Sequence, residues 1–188
     1  MKNKLAIFDM DGTLYDTKNV NYQAYSEALK LSGVDIEINY QYYCQHCNGN
    51  SYKTFLPILV PNIAPDLIEQ IHSYKKNLYS KYLKYARRNV NLFSLIETIK
   101  SDYIIALVTT ASKQNTNDIL SVFDDQVFDF IITQEDVRRT KPNPECFLLA
   151  MKKSQVIVEN TIIFEDSKTG LVAAKASGAQ YVQVYGFN

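Results

Sequence analysis

Asp9 and Asp11, one residue apart, close the first apolar run of the chain, Leu5-Ala6-Ile7-Phe8, and Gly12 follows at once. The run has the length and character of a buried strand, and a glycine at its end lets the backbone turn sharply and approach a ligand closely. Two carboxylates crowded at a strand mouth disfavour each other's ionised form unless a cation or a proton intervenes. A hard divalent cation meets that need: Mg²⁺ takes oxygen ligands, borrows one or two carboxylates and leaves its other positions to water and substrate phosphate. Taken alone, Asp-Met-Asp-Gly also fits a polar turn, since Asp and Gly are common turn residues.

Three later clusters carry the same kind of chemistry. Tyr103-Ile104-Ile105-Ala106-Leu107-Val108 is another buried-type run and ends in Thr109-Thr110-Ala111-Ser112. Lys141 opens Lys141-Pro142-Asn143-Pro144-Glu145, where paired prolines stiffen the entry to a helical stretch from Glu145 to Met151 and so fix a cation. Thr161-Ile162-Ile163-Phe164 runs into Glu165-Asp166-Ser167, and a small-residue helix then ends at Ser177-Gly178. In an open parallel sheet, ligands bind outside the carboxyl ends of the strands, so these clusters converge although they are distant in sequence. Each residue also has a plainer reading. Lys141 can be a solvated lysine, Thr109 a strand-end hydroxyl with Thr110 leaving the register open by one, and Glu165 a cap acid favoured by the helix dipole.

The elements that must position these groups alternate. Asn115–Phe123 reads as a helix, Phe128–Ile132 as a strand and Gln180–Tyr185 as a last strand. The pattern predicts an α/β fold: a doubly wound, Rossmann-like parallel sheet with Leu5–Phe8 central and right-handed crossovers. The stretch between the first two clusters has no strand signals. Val20, Ala24, Ala28 and Leu31 recur at helical spacing, as do Leu67, Ile71, Tyr74, Leu78, Tyr82 and Tyr85. Residues 16–88 are therefore expected to form a small helical domain inserted into a core of 1–15 and 89–188, with hinges near Tyr15–Thr17 and Arg88–Val90. Ten of the 14 tyrosines fall in this insertion among lysines and arginines. Such interleaving can bind nucleic acid, but the stronger expectation is that the tyrosines supply the apolar stripe of a helix and the lysines solvate its other face, with no nucleic-acid partner.

In their order, the four clusters resemble the motifs of the haloacid dehalogenase superfamily, most of whose members are Mg²⁺-dependent phosphatases. The first fits as DMDGT, the second as the strand ending in Thr109, the third as Lys141 in KPNPE and the fourth as FEDSKTG, and together they frame nearly the whole chain. The resemblance implies that Asp9 is a nucleophile forming an aspartyl-phosphate and Asp11 a general acid and base whose backbone carbonyl also meets the metal. It implies phosphoryl contacts from Thr109, the backbone around Thr110 and Lys141, and Mg²⁺ ligation by Asp9, Asp11 and Asp166, with Glu165 nearby or acting through water. The insertion resembles the helical cap of the subgroup that includes β-phosphoglucomutase and phosphoglycolate-type phosphatases. In such caps a Gly-containing loop, here Asn48-Gly49-Asn50-Ser51, touches the substrate. The implied activity is hydrolysis of a small phosphorylated metabolite. The alternatives are a phosphosugar mutase, weakened by Asn21 where such mutases carry histidine, and a non-catalytic binding protein on the same scaffold.

Composition sets outer limits. The 188 residues, 46% of them apolar, can bury one substantial core plus a small accessory unit. Formal charge is zero, which gives no global attraction to nucleic acid or anionic membranes. The apolar run before Asp9 is too short for a signal-peptide core, no stretch reaches transmembrane length, and three cysteines suit a reducing compartment, so a cytoplasmic location is expected. Cys44-Gln45-His46-Cys47 has the spacing of redox and zinc motifs but no second ligand pair follows, leaving it as thiols of the helical insertion.

Overall fold

The computed structural model describes residues 2–185 and 187. The strands are β1 (Lys4–Phe8), β2 (Tyr15–Asp16), β3 (Arg87–Arg88), β4 (Tyr103–Val108), β5 (Phe130–Ile132), β6 (Thr161–Glu165) and β7 (Gln180–Gln183). The α-helices are α1 (Lys18–Leu31), α2 (Tyr40–Tyr42), α3 (Tyr52–Leu59), α4 (Pro65–Tyr82), α5 (Val90–Ile99), α6 (Lys113–Phe123), α7 (Glu145–Ser154) and α8 (Lys168–Ser177). Two compact units result, Met1–Asp16 with Arg87–Asn188, and Thr17–Ala86.

The first unit is built on a five-stranded sheet of order β5-β4-β1-β6-β7 in which every pairing is parallel. Central β1 is buried along Leu5–Phe8, with no polar side chain, as a strand covered on both faces requires. Leu5, Ile7, Ala106, Val108 and Ile163 form one core with Phe147 and Ala150 of α7 and Ala173 and Ala174 of α8. The small residues of α8 let that helix lie close to the sheet. The last strand is shorter than the sequence predicts: pairing to β6 stops at Gln183, before Val184 and Tyr185.

β2 and β3 form a two-stranded antiparallel ribbon, Tyr15 opposite Arg88 and Asp16 opposite Arg87, where the chain leaves and re-enters this unit. Asp125, just after α6, is buried and accepts from both the Tyr15 hydroxyl and the Arg88 guanidinium, and Arg88 also lies over the Phe93 ring at 3.7 Å. Asn89 adds a backbone bond to the Leu14 carbonyl and a side-chain bond to the Thr13 carbonyl. The ribbon is thereby fastened to the sheet unit from inside.

The second unit is helical. Tyr25, Ala28 and Leu29 of α1, Tyr43 and Cys47, Phe55 and Leu56 of α3 and Ile71 of α4 share one core. Two residues of the expected stripes are exposed instead of packed. Leu31 is exposed because the stripe turns through Tyr25 and Leu29, following the 3.6-residue period rather than a strict four-residue step. Tyr85 is exposed because α4 ends at Tyr82 and a 3₁₀ turn, Leu83–Tyr85, buries Leu83 instead. Lys75 is buried with its ammonium over the Tyr25 and Tyr79 rings, and Lys81 pairs with Glu27 at 2.6 Å. The basic and aromatic residues thus meet each other. His72 stacks on Tyr52, shares a hydrogen bond with Tyr25, and is pushed down to about 4 by burial.

The ribbon gives a contrast that chemical denaturation can read. Asp125→Asn, which leaves a guanidinium without its buried carboxylate, is expected to lower unfolding free energy by about 2–4 kcal/mol. Arg87→Ala, removing a partner that meets Asp16 from the solvent side, should cost under about 1 kcal/mol. Equal losses would contradict the internal fastening.

Candidate active site

Three of the four sequence clusters meet at the carboxyl ends of β1, β4 and β6. Phe8 and Phe164 are register partners on β1 and β6 and stack at 4.5 Å, and the Asp9 N–H donates to the Phe164 carbonyl. That pairing brings Asp9 beside Glu165 and Asp166. Carboxylate oxygens of the three lie within 4.8 Å of one another, the one group of three or more His, Cys, Asp or Glu so placed among the described residues.

Lys141 enters from the loop before α7, its side chain 3% exposed. Its ammonium donates to Asp9 Oδ1 at 2.6 Å, Glu165 Oε2 at 2.7 Å and the Val108 carbonyl at 3.2 Å. The loop is held at its far end by Glu145, whose carboxylate accepts from the Arg138 and Arg139 N–H groups, and Pro144 caps α7. The Lys141–Pro142 peptide is cis. Burial alone would push the Lys141 ammonium down, but the Asp9 and Glu165 carboxylates outweigh it and hold the ammonium above its ordinary range.

The charges do not balance. Burial, then Glu165 and Asp166, push Asp9 well above the usual carboxylate range against the pull of Lys141. Asp166 is pushed up to about 6 by burial, with Glu165 and Asp11 adding to it and the Thr13 hydroxyl, donating at 2.8 Å, opposing. One ammonium among three carboxylates leaves an electrostatic demand for a cation, and all-oxygen donors suit a hard one. The donor set therefore fits a divalent cation held by Asp9 and Asp166 with Glu165 beside them. Asp11 is half-buried and its carboxylate is not one of the three convergent groups, though it raises Asp166 electrostatically.

Thr109 is buried at the end of β4. Its Oγ accepts from the Ala111 N–H at 3.0 Å, a local turn that directs its own hydrogen elsewhere. Thr110 is exposed, so of the two hydroxyls Thr109 takes the inward position. Asn48, Gly49, Asn50 and Ser51 are exposed in the helical unit, where Asn50 donates to the His46 carbonyl and Ser51 caps α3. Cys44, Cys47 and Cys146 are free thiols.

The sequence pointed to no task for Thr13, Ser167 or Gly170, and to no more than a turn and a close approach to ligand for Gly12. A Cβ on Gly12, whose φ is +89°, would fall 2.2 Å from Asp166 Oδ2, and one on Gly170 would fall 2.0 Å from the Glu165 carboxyl carbon. Both glycines leave space that the acids fill. The signal was present in Ser167-Lys168-Thr169-Gly170, a helix start with glycine where a capping box would place an acid.

A model of the haloacid dehalogenase-like hydrolase family matches residues 6–184. A phosphorylated carbohydrates phosphatase of Thermotoga maritima is 31% identical over 187 residues, covering 96% of this chain and 83% of that protein. Pyrophosphatase PpaX of Bacillus mycoides is 24% identical over 196 residues, covering 98% and 84%. Among solved structures, CbbY of Rhodobacter sphaeroides in complex with phosphate superposes with a TM-score of 0.85 at 26% identity, covering 100% of this chain and 88% of that one.

The charge imbalance has a measurable sign. Between about pH 4 and about pH 6 the folded protein keeps a proton on Asp166 that the unfolded chain has released, so metal-free stability should fall as pH rises through that window. After discounting for solvent, the fall is about 1–2 kcal/mol. A millimolar divalent cation at pH 7 should restore it and Asp166→Asn should shrink it. A stability that rises through the window, untouched by cation, would contradict the carboxylate cluster as described.

Proposed function

The chain belongs to the haloacid dehalogenase-like hydrolase family and is a phosphatase, and from that premise we propose that it is a Mg²⁺-dependent phosphomonoesterase that works through an aspartyl-phosphate on Asp9. The observation that carries the reading is the Lys141 ammonium shared by Asp9 and Glu165 at 2.6 and 2.7 Å, with Asp166 completing a cluster short of positive charge. Asp9 attacks phosphorus, which splits hydrolysis into two easier steps. Lys141 and the Thr109 hydroxyl hold the phosphoryl oxygens, whose charge must be met as the transition state spreads it. Asp11 gives a proton to the leaving alcohol and then takes one from the attacking water. Mg²⁺ when bound by Asp9, Asp166 and the Asp11 carbonyl, with Glu165 nearby, neutralises the excess carboxylate charge and polarises the phosphoryl group.

The substrate in this reading is a small phosphorylated metabolite. Phosphosugars come first because the Thermotoga maritima relative is by name a phosphatase of phosphorylated carbohydrates. The helical unit, Thr17–Ala86, serves as a cap that excludes water and selects the leaving group, with Asn48, Gly49, Asn50 and Ser51 as its contact loop. No helix among the described residues is long and apolar enough to cross a membrane, and we place the enzyme in the cytoplasm.

Phosphate release from a panel of metabolites, with and without Mg²⁺, tests this directly. Asp9→Asn should abolish turnover, since an amide cannot form the acyl-phosphate. With a good leaving group, Asp11→Asn should become phosphorylated at Asp9 and then stall, its kcat lower by about 10²–10⁴. Rapid-quench mass spectrometry would find the label on the peptide containing Asp9. Passage of the phosphoryl group to a sugar hydroxyl without release would indicate a mutase, and no labelling or release with any ester would leave a binding protein.

A further inference from the structure

Glu165 is fully buried and both of its oxygens are engaged. Oε2 accepts from Lys141 at 2.7 Å, while Oε1 accepts from the Ser167 N–H at 3.0 Å and the Ser167 hydroxyl at 2.8 Å. The last torsion of a glutamate is broad and two-fold, so hydrogen bonds rather than rotamer preference set the carboxylate plane. What turns Oε2 toward Lys141 is therefore the hold on Oε1.

Ser167 is also the N-cap of α8. Its Oγ accepts from the Gly170 N–H at 3.0 Å, which leaves its single hydrogen for Glu165, with the Thr169 hydroxyl farther off at 3.4 Å. In an ordinary capping box the acid that reaches back to the N-cap N–H sits at the third helical position. Here that position is Gly170, and a Cβ there would fall 2.0–2.4 Å from the Glu165 carboxyl atoms. The acid comes from the strand instead of the helix. One carboxylate thus closes the start of α8 and grips the ammonium beside Asp9.

We propose that Ser167 and Gly170 are positioning residues for Lys141: Ser167 orients Glu165 by donating to Oε1, and Gly170 leaves the space in which that carboxylate lies. The proposal rests on the phosphatase reading for its kinetic consequence and on hydrogen bonding alone for its structural one. A residue that only capped the helix would not need its hydroxyl hydrogen, and a glycine in the first turn of a helix lowers helix propensity without packing gain. Both choices become intelligible once the Glu165 carboxylate must be held toward Lys141.

The test uses the full chain and three variants. Glycine ranks beside threonine as an N-cap residue, so Ser167→Gly keeps most of the cap while removing the donor, and Ser167→Thr keeps both. Gly170→Ala raises helix propensity but displaces the carboxylate. Expected outcomes are a fall in kcat of about tenfold in Ser167→Gly and up to about 100-fold in Gly170→Ala, with KM nearly unchanged and activity retained in Ser167→Thr. The second readout is the ¹⁵N-resolved resonance of the Lys141 ammonium, which should shift or broaden in the first two variants and stay in the third. An unchanged kcat and ammonium resonance in both Ser167→Gly and Gly170→Ala would overturn the proposal, as would an equal loss in Ser167→Thr. If the wild type releases phosphate from no ester, the phosphatase reading fails while the ammonium resonance still decides the positioning role.

Discussion

The rest of the site depends on one buried ammonium. Removing Lys141 from water is costly, and the two carboxylates that offset that cost, Asp9 and Glu165, would each be costly to bury alone. The three are therefore stable only as a group, and each comes from a different segment: the end of β1, the end of β6 and the loop before α7. The stacked pair Phe8 and Phe164, the Asp9 N–H bond across to β6 and the Glu145 bonds that hold the loop all serve to keep those segments in register. A sheet that slipped by one residue would separate the charges and expose their full desolvation cost.

The same arrangement explains why the cluster invites a cation. The ammonium satisfies Asp9 and Glu165, but Asp166, held by the Thr13 hydroxyl, adds a further negative charge. A site that were only a structural ion pair would have no use for this excess. An excess is useful where charge arrives with a ligand and leaves again, because the protein alone is then under-neutralised and the loaded state is not.

Much of this was readable in the chain, for a physical reason. Strand-end residues betray themselves because an apolar run of strand length stops abruptly at groups that cannot be buried unpaired, which is how Asp9, Thr109, Glu165 and Asp166 stood out. Central β1 and the parallel order followed from runs without polar alternation. What escaped depends on neighbours distant in sequence or on space. Thr13 acquires its bond to Asp166 only when β6 lies alongside. Gly170, and Gly12 beyond its turn, carry no side chain to interpret, and their further meaning is the volume that Glu165 and Asp166 occupy. Leu31 and Tyr85 failed as core residues because a spacing pattern does not say where a helix bends its stripe or ends.

The β2–β3 ribbon bears on how such a chain tolerates change. The points where the helical unit begins and ends are flanked by cross-strand partners, Asp16 beside Arg87, and the residues next to them, Tyr15 and Arg88, are secured to the sheet unit through Asp125, with Asn89 bonding the Thr13 carbonyl. Everything between them is, to the sheet, a loop whose two ends already touch. The entropy of closing a loop grows only slowly with its length, so inserting, enlarging or exchanging this segment costs the sheet little so long as the ribbon persists. The ribbon is in that sense a socket: a lineage can replace what is plugged into it and keep the chemistry at the strand ends intact.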